Sequence, residues 1–388
     1  MTSATLAADK WSDATDYAVA ATWAGQHDAA VLLTDGKKAL VAGGADAASV
    51  SVGQSAVYDF DAGMWGQPAL LGTARQLHAL TPLPGGKALI TGGIPAPGGA
   101  AIGTAEIYDP VANKWTPVAK PMLKARWGHS AVALSNGLVL IAGGSTLRPD
   151  GKAMAVRWAE LFDPAEGGSW AVAEEMTDAR TGHTAVVLQD GKKVLVCGGT
   201  APVGGADDPA LAFCELYDTD TEKWSVAATM KFPRSGHTAT ALTATSVLVA
   251  GGTAPGVTPD GAFDPFARAT AEVFQLNSSG GVWSQAKAMP GGRAFHRAVP
   301  AGEGKVVLLG GADDVANEAG YRSAVRYEGG EWTAMPGLDR GRWGFAAVAS
   351  GAKVLVAGGT AGTGLAMAAG QSGKAELTKS AEKFGSGS

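Results

Sequence analysis

Apolar runs of a few residues punctuate the chain, and each ends in a pair of glycines: ALVAGG at Gly44, ALITGG at Gly93, LVLIAGG at Gly144, VLVCGG at Gly199, VLVAGG at Gly252, VVLLGG at Gly311 and VLVAGG at Gly359. Runs this short, bounded by turn residues, read as buried strands rather than helices. A variable loop follows each pair, and then a further short strand segment: AVYDF, AEIYDP, AELFDP, CELYDT, AEVFQL, SAVRYE and AELTK. In six copies next come a tryptophan (Trp65, Trp115, Trp170, Trp224, Trp283, Trp332), an arginine and a new apolar strand. Successive glycine pairs lie 48 to 59 residues apart, so the chain is a tandem repeat of one unit. Each unit holds four short strands: A after the arginine, B before the glycine pair, C after the loop and D around the tryptophan.

One four-stranded sheet cannot bury both of its faces, whereas seven packed round an axis can. The glycine pair, the Tyr-Asp pair after it and the spaced tryptophan resemble the Kelch repeat over nearly the whole chain; Gln275 and Leu276, and Arg326 to Glu328, depart from it. The resemblance implies an all-β, seven-bladed β-propeller with four antiparallel strands per blade. The last copy has no tryptophan after AELTK, while Trp11 stands ahead of the first A strand. The ring is therefore expected to close by the N-terminal strand of Trp11 joining the C-terminal strands. Residues 1–379 then make one propeller domain and 380–388 a flexible tail.

All six histidines fall at the start of an A strand, as His27, His78, His129, His183, His237 and His296, and the seventh copy has Phe345 there. Arg75, Arg126, Arg180, Arg234, Arg293 and Arg342 stand three residues earlier, and the first copy has Ala24 instead. A residue type repeated in every blade reads as scaffold packed between blades and hydrogen-bonded there. Arginine at a channel mouth also makes an anion site. The loss of repeat residues in the first and last copies is read either as the usual irregularity of terminal repeats or as the mark of a pocket.

Antiparallel pairing puts the start of strand A and the end of strand B at one edge, so the D–A connections and the loops after the glycine pairs share one face. Non-repeated residues on that face are the functional candidates. Trp23, Trp127, Trp158 and Trp343 lie outside the D strands and belong to it, with Phe213, Phe295 and Tyr321 nearby. Together with Phe345, Arg75, Arg126, Arg293, Arg342 and Arg322 they suggest an aromatic mouth for a small organic ligand, aromatic and anionic. The loops also carry Asp207, Asp208, Asp260, Asp264, Asp313, Asp314 and Glu318. His27, His296, Asp313, Asp314 and Glu318 are the acid/base candidates, and the loop carboxylates are the place where a hard cation such as calcium would bind. No other metal or cofactor is expected.

With 56 glycines, 17% charged residues and a formal charge of -5, the chain reads as folded and turn-rich, with no basic footprint for nucleic acid or an anionic membrane. The N-terminus lacks the pattern of a secretory signal, and no apolar run is long enough to span a membrane, so a cytoplasmic protein is expected. Cys197 and Cys214 read as reduced, buried residues, with a cross-strand disulfide as the alternative. Kelch propellers include oxidases, epimerases and adaptors, and a fold does not fix a function. A copper oxidase centre of that family needs a crosslinked Cys–Tyr pair with two histidines, and no matching motif surrounds either cysteine. Two readings remain: a small-molecule propeller, at its fullest a cofactor-independent isomerase, cyclase or lyase, and a module recognising protein or glycan with the same face.

Overall fold

The computed structural model describes residues 10–27, 29–202, 209–254, 267–313, 320–361 and 376–385. These carry six four-stranded antiparallel sheets and a seventh with a two-residue fifth strand, each formed from one repeat unit. The blade of the fourth glycine pair is typical, with strands A to D at Thr184–Leu188, Lys193–Cys197, Cys214–Asp218 and Lys223–Val226. Inner strands of successive blades lie side by side, and the innermost strand of the last blade lies against that of the first. No helix among the described residues is long and apolar enough to cross a membrane.

The repeat residues have separate mechanical roles. Aspartates of the Tyr-Asp pair cap the C–D turn: Asp109 Oδ1 accepts the backbone N–H groups of Val111 and Ala112, and Asp59 does the same for Asp61 and Ala62. In the fifth copy Asn277 takes over, accepting from Ser279 and Gly281, and in the sixth Gly329 and Gly330 make a two-residue turn between Glu328 and Glu331. Each D-strand tryptophan stacks on the aromatic of strand C and fixes its indole N–H to the preceding blade. Trp224, for example, lies 5.1 Å from Tyr217 and donates to the Glu174 carbonyl.

The closing blade corrects the expected boundaries. Its strands A and B are Ala346–Ser350 and Lys353–Ala357, but its strand C is Ala381–Phe384 rather than AELTK. Trp11–Ala14 pairs with that strand, Trp11 opposite Phe384, so residues 381–384 belong to the sheet and not to a tail. The aromatic decides between the two segments. Phe384 stacks on Trp11 at 5.4 Å, as tyrosine or phenylalanine does in the sister blades, whereas AELTK offers only a threonine at that place. Trp11 Nε1 donates to the Pro336 carbonyl of the sixth blade, and Trp65 Nε1 to Thr15, just beyond the closing strand.

Candidate functional site at the axial mouth

The arginines expected at the rim lie inside the blades. Arg75, Arg126, Arg180, Arg234 and Arg342 are fully buried, each paired with the glutamate of its own strand C: Glu106, Glu160, Glu215, Glu272 and Glu382. Each glutamate also accepts two backbone N–H groups from the D–A connection, as Glu106 does from Gly72 and Thr73. The guanidinium and carboxylate thus staple the connection to the sheet, and Arg75, Arg126 and Arg342 are not available to a ligand.

Two blades break this rule differently. The first has neither partner, with Ala21 and Ala56 at the two places. The sixth keeps Arg293 but has Val325 in place of the glutamate, and Pro290, which lacks an N–H, where the sister blades place a donor. Arg293 is 1% exposed; it bonds the Gly310 and Ser323 carbonyls and faces the Tyr321 ring at 5.4 Å. Burial pulls its pKa down to about 10. Arg126→Leu would strand the buried Glu160 carboxylate and is expected to cost about 3–5 kcal/mol. Arg293→Leu strands no carboxylate and should cost less than half as much in urea unfolding; equal losses would overturn the distinction.

Five of the histidines form the expected scaffold. His129, His183, His237 and His296 place Cε1 under the first glycine of the preceding blade, and His183, His237 and His296 bond Ser130, Thr184 and Thr238 there, each the residue after that blade's own histidine. His129 bonds Thr91 and His78 bonds Gln26. Burial holds the imidazoles of His129, His183 and His296 well below their ordinary range and that of His78 at about 3, so they are neutral. His296 lines the mouth cavity, but burial makes it a weak base and its Nε2 is taken by Thr238 Oγ1. At the seam the residue after His296 is Arg297, which donates to the Phe345 and Trp23 carbonyls, and a histidine would meet that cation. Phe345 fills the slot instead, fully buried under Gly310.

His27 is the exception. From the bridge residue Thr22 to strand A, the first blade is four residues longer than the second from Gln76, and Trp23 fills the inter-blade slot under Gly358. Ala24, Gly25, Gln26 and His27 are thereby released toward the axis. His27 Nε2 reaches the Gly182 carbonyl of the fourth blade at 3.1 Å. Burial, then His237, lowers its pKa to about 3. This strap contributes to both axial cavities, one of about 160 Å³ among the inner strands and one of about 280 Å³ at the mouth.

Six blades share a backbone position at this mouth with positive φ. Four use glycine there, Gly128, Gly182, Gly236 and Gly344, but the second blade has Leu77 at φ 54° and the sixth Phe295 at φ 52°. A side chain in this left-handed region costs about 1–2 kcal/mol. Both line the mouth cavity, with Trp127, Thr181, Thr200, Ser235 and Arg297. Phe295 also lies against Trp343, with ring centroids 6.0 Å apart.

The aromatic mouth is therefore only partly assembled from the expected residues. Trp127 lines it, and Trp343 adjoins it through Phe295. Trp23 is buried, donating to the Ala42 carbonyl, and Trp158 covers Arg126 at 5.7 Å, away from the cavity lining. Tyr321 engages Asp313 beside Arg293, and Arg322 donates to the Leu338 carbonyl; none of these lines the axial cavities. Asp207, Asp208, Asp260, Asp264, Asp314 and Glu318 lie outside the described residues. Sequence reasoning missed Leu77 and Arg297, and it placed His27 in the scaffold as well as among the catalytic candidates. The signal for Leu77 was present in the R-x-G-H of the third, fourth and fifth copies, where glycine marks a left-handed backbone.

Comparison with known proteins agrees with this architecture. The KLHDC2/KLHL20/DRC7 Kelch-repeats domain model matches residues 128–359, and the chain belongs to the Kelch-repeat family. Kelch-like protein 15 of Danio rerio is 30% identical over 38% of this chain and 25% of its own length. Kelch-like protein 15 of Homo sapiens is 25% identical over 63% and 40% respectively. The chain thus spans well under half of these relatives. Among solved structures, a fungal alcohol oxidase of the AA5 family in complex with copper superposes with a TM-score of 0.69 at 15% identity, covering 97% of this chain and 76% of its own. YjhT gives 0.56 at 16% identity, covering 78% and 93%. At such identities the likeness is one of fold. Among the described residues no group of three or more His, Cys, Asp or Glu is arranged to hold a metal.

Proposed function

We propose that this Kelch propeller is a binding module whose axial mouth holds an apolar, preferably aromatic, group of a small organic ligand. The observation that carries this is the pair Leu77 and Phe295. Both keep side chains in a strained backbone geometry that four sister blades give to glycine, and both turn them to the mouth cavity. Strain that the fold does not need points to function. Trp127 adds a third apolar wall, and the hydroxyl residues Thr200 and Ser235 stand at the rim for directional bonds. Catalysis as an isomerase, cyclase or lyase has less support, because burial makes His27 and His296 weak bases and the Nε2 of each is already bonded, to Gly182 and to Thr238.

The test uses indole as the probe, followed by saturation-transfer NMR. Wild-type protein is expected to bind it, and Phe295→Gly and Leu77→Gly to weaken binding about tenfold, the worth of one buried apolar contact. Both variants should melt no lower than Phe295→Ala and Leu77→Ala, since glycine relieves the strain and alanine does not. No transfer from indole to wild type, or full binding by both glycine variants, would remove the mouth from consideration.

One observation supports recognition of a protein segment by the same face. After its glycine pair the third blade pairs Ser145–Leu147 with Ala153–Ala155, a hairpin that leaves Met154 exposed and is bridged through Ser145 to the mouth-lining Trp127. A peptide with a terminal aromatic residue would then displace indole, and Met154→Glu would weaken the peptide without affecting indole.

A further inference from the structure

The fourth blade holds both cysteines of the chain, and its ladder sets them face to face: Cys197 at the end of strand B is the partner of Cys214 at the start of strand C. Both are free thiols without exposed surface. In the six sister blades the first glycine after strand B donates its N–H to the carbonyl of the residue before strand C or at its start, as Gly92 does to Thr104 and Gly251 to Thr270. The neighbouring pair, at the cysteine position, is then of the non-hydrogen-bonded kind, with Cα atoms about 4.5 Å apart and side chains on one side of the sheet. That separation falls at the short end of the range a disulfide spans, about 4.4–6.8 Å.

The pair also communicates with the axis. Thr184 Oγ1 lies 3.3 Å from Cys197 Sγ and 3.0 Å from His237 Nε2; Thr184 lines the inner cavity and His237 the mouth. A hydrogen bond from Cys214 holds the Cys197 thiol below its ordinary range, while burial pushes Cys214 up, so Cys197 is the sulfur that ionises first.

We propose that Cys197 and Cys214 are a modification site: a thiol pair that a small peroxide converts to a reversible cross-strand disulfide. The Cys197 thiolate attacks one oxygen of hydrogen peroxide, the O–O bond breaks, and the departing hydroxide takes a proton to leave as water. Cys214 sulfur then attacks the Cys197 sulfenic acid; the S–O bond breaks, the S–S bond forms, and the Cys214 proton leaves with the second water. Two electrons pass from the thiols to the peroxide.

The experiment treats folded full-length protein with hydrogen peroxide, quenches, denatures, alkylates and maps the cysteine peptides. The expected result is one linked peptide pair joining Cys197 and Cys214, short by two hydrogens and restored by dithiothreitol. Cys214→Ala should instead trap added oxygen on Cys197, and Cys197→Ala should leave Cys214 open to alkylation. Full alkylation of both wild-type cysteines after peroxide, separate oxidation of each, or a link that forms only when peroxide is added to unfolded protein would overturn the proposal.

Discussion

A chain ending at Lys379 is expected not to fold. Its missing segment, Ala381–Phe384, lies between Lys353–Ala357 and Trp11–Ala14 in the closing sheet, so its loss leaves the N-terminal strand with nothing to pair. Glu382 goes with it. Arg342 is then a buried cation without its carboxylate, and the N–H groups of Asp339 and Arg340 lose their acceptor. Breaking a buried ion pair costs about 3–5 kcal/mol, and losing a buried phenylalanine a similar amount. Their sum approaches the about 5–15 kcal/mol by which a typical domain is stable. Circular dichroism and gel filtration of the truncated chain decide the matter. A cooperative melt near the wild-type midpoint would show that residues 380–388 are dispensable after all. Glu382→Gln, which keeps the strand, should retain the fold at lower stability.

Acid should unfold the protein well above the range where carboxylates titrate. His78, His129, His183 and His296 are held neutral in the folded state by burial first and by the neighbouring arginine next, and His78 reaches about 3. An unfolded histidine titrates near 6.5. Below that pH the unfolded chain binds protons that the native chain refuses, so stability falls with pH and goes on falling until the native histidines titrate. Each histidine contributes a slope of about 1.4 kcal/mol per pH unit. His27, held at about 3 as well, makes five, and together they remove on the order of 10 kcal/mol by pH 5, comparable to the whole of a typical domain's stability. Urea midpoints measured between pH 7 and 5 should drop steeply, and His129→Phe, which copies Phe345, should flatten the slope by about a fifth. A midpoint that does not move over that interval would mean that the buried imidazoles accept protons in place.

The repeat was legible because its marks are covalently local: a glycine pair, a capping aspartate and a stacked tryptophan act within a single hairpin or between adjacent strands. The Arg–Glu staple was equally written there, since both residues disappear together from the first copy, but it joins positions some thirty-five residues apart and the arginines were read without their glutamates. The closing strand was misplaced because AELTK and SAEKF both contain Ala-Glu, and the stacked aromatic that separates them lies two residues further on. The site was less legible. His27 imitates the repeat in sequence, yet a four-residue insertion moves it from between blades to the axis, and spacing to the next strand was the clue. Leu77 and Phe295 look like ordinary replacements of glycine until the backbone shows that they keep its conformation.

The closing blade has one more consequence. Trp11 stands opposite Phe384, so Lys10 and Gly385 flank the open end of a hairpin that every other blade closes by a short turn. A linker of a few residues between them would complete that hairpin, and the chain could then be cut at another exposed turn, such as the one at Asn136 and Gly137 in the third blade. The closing blade is thus held by strand pairing where its sisters also have a covalent turn. Circular permutation would carry the interruption to any blade and leave the mouth as it is.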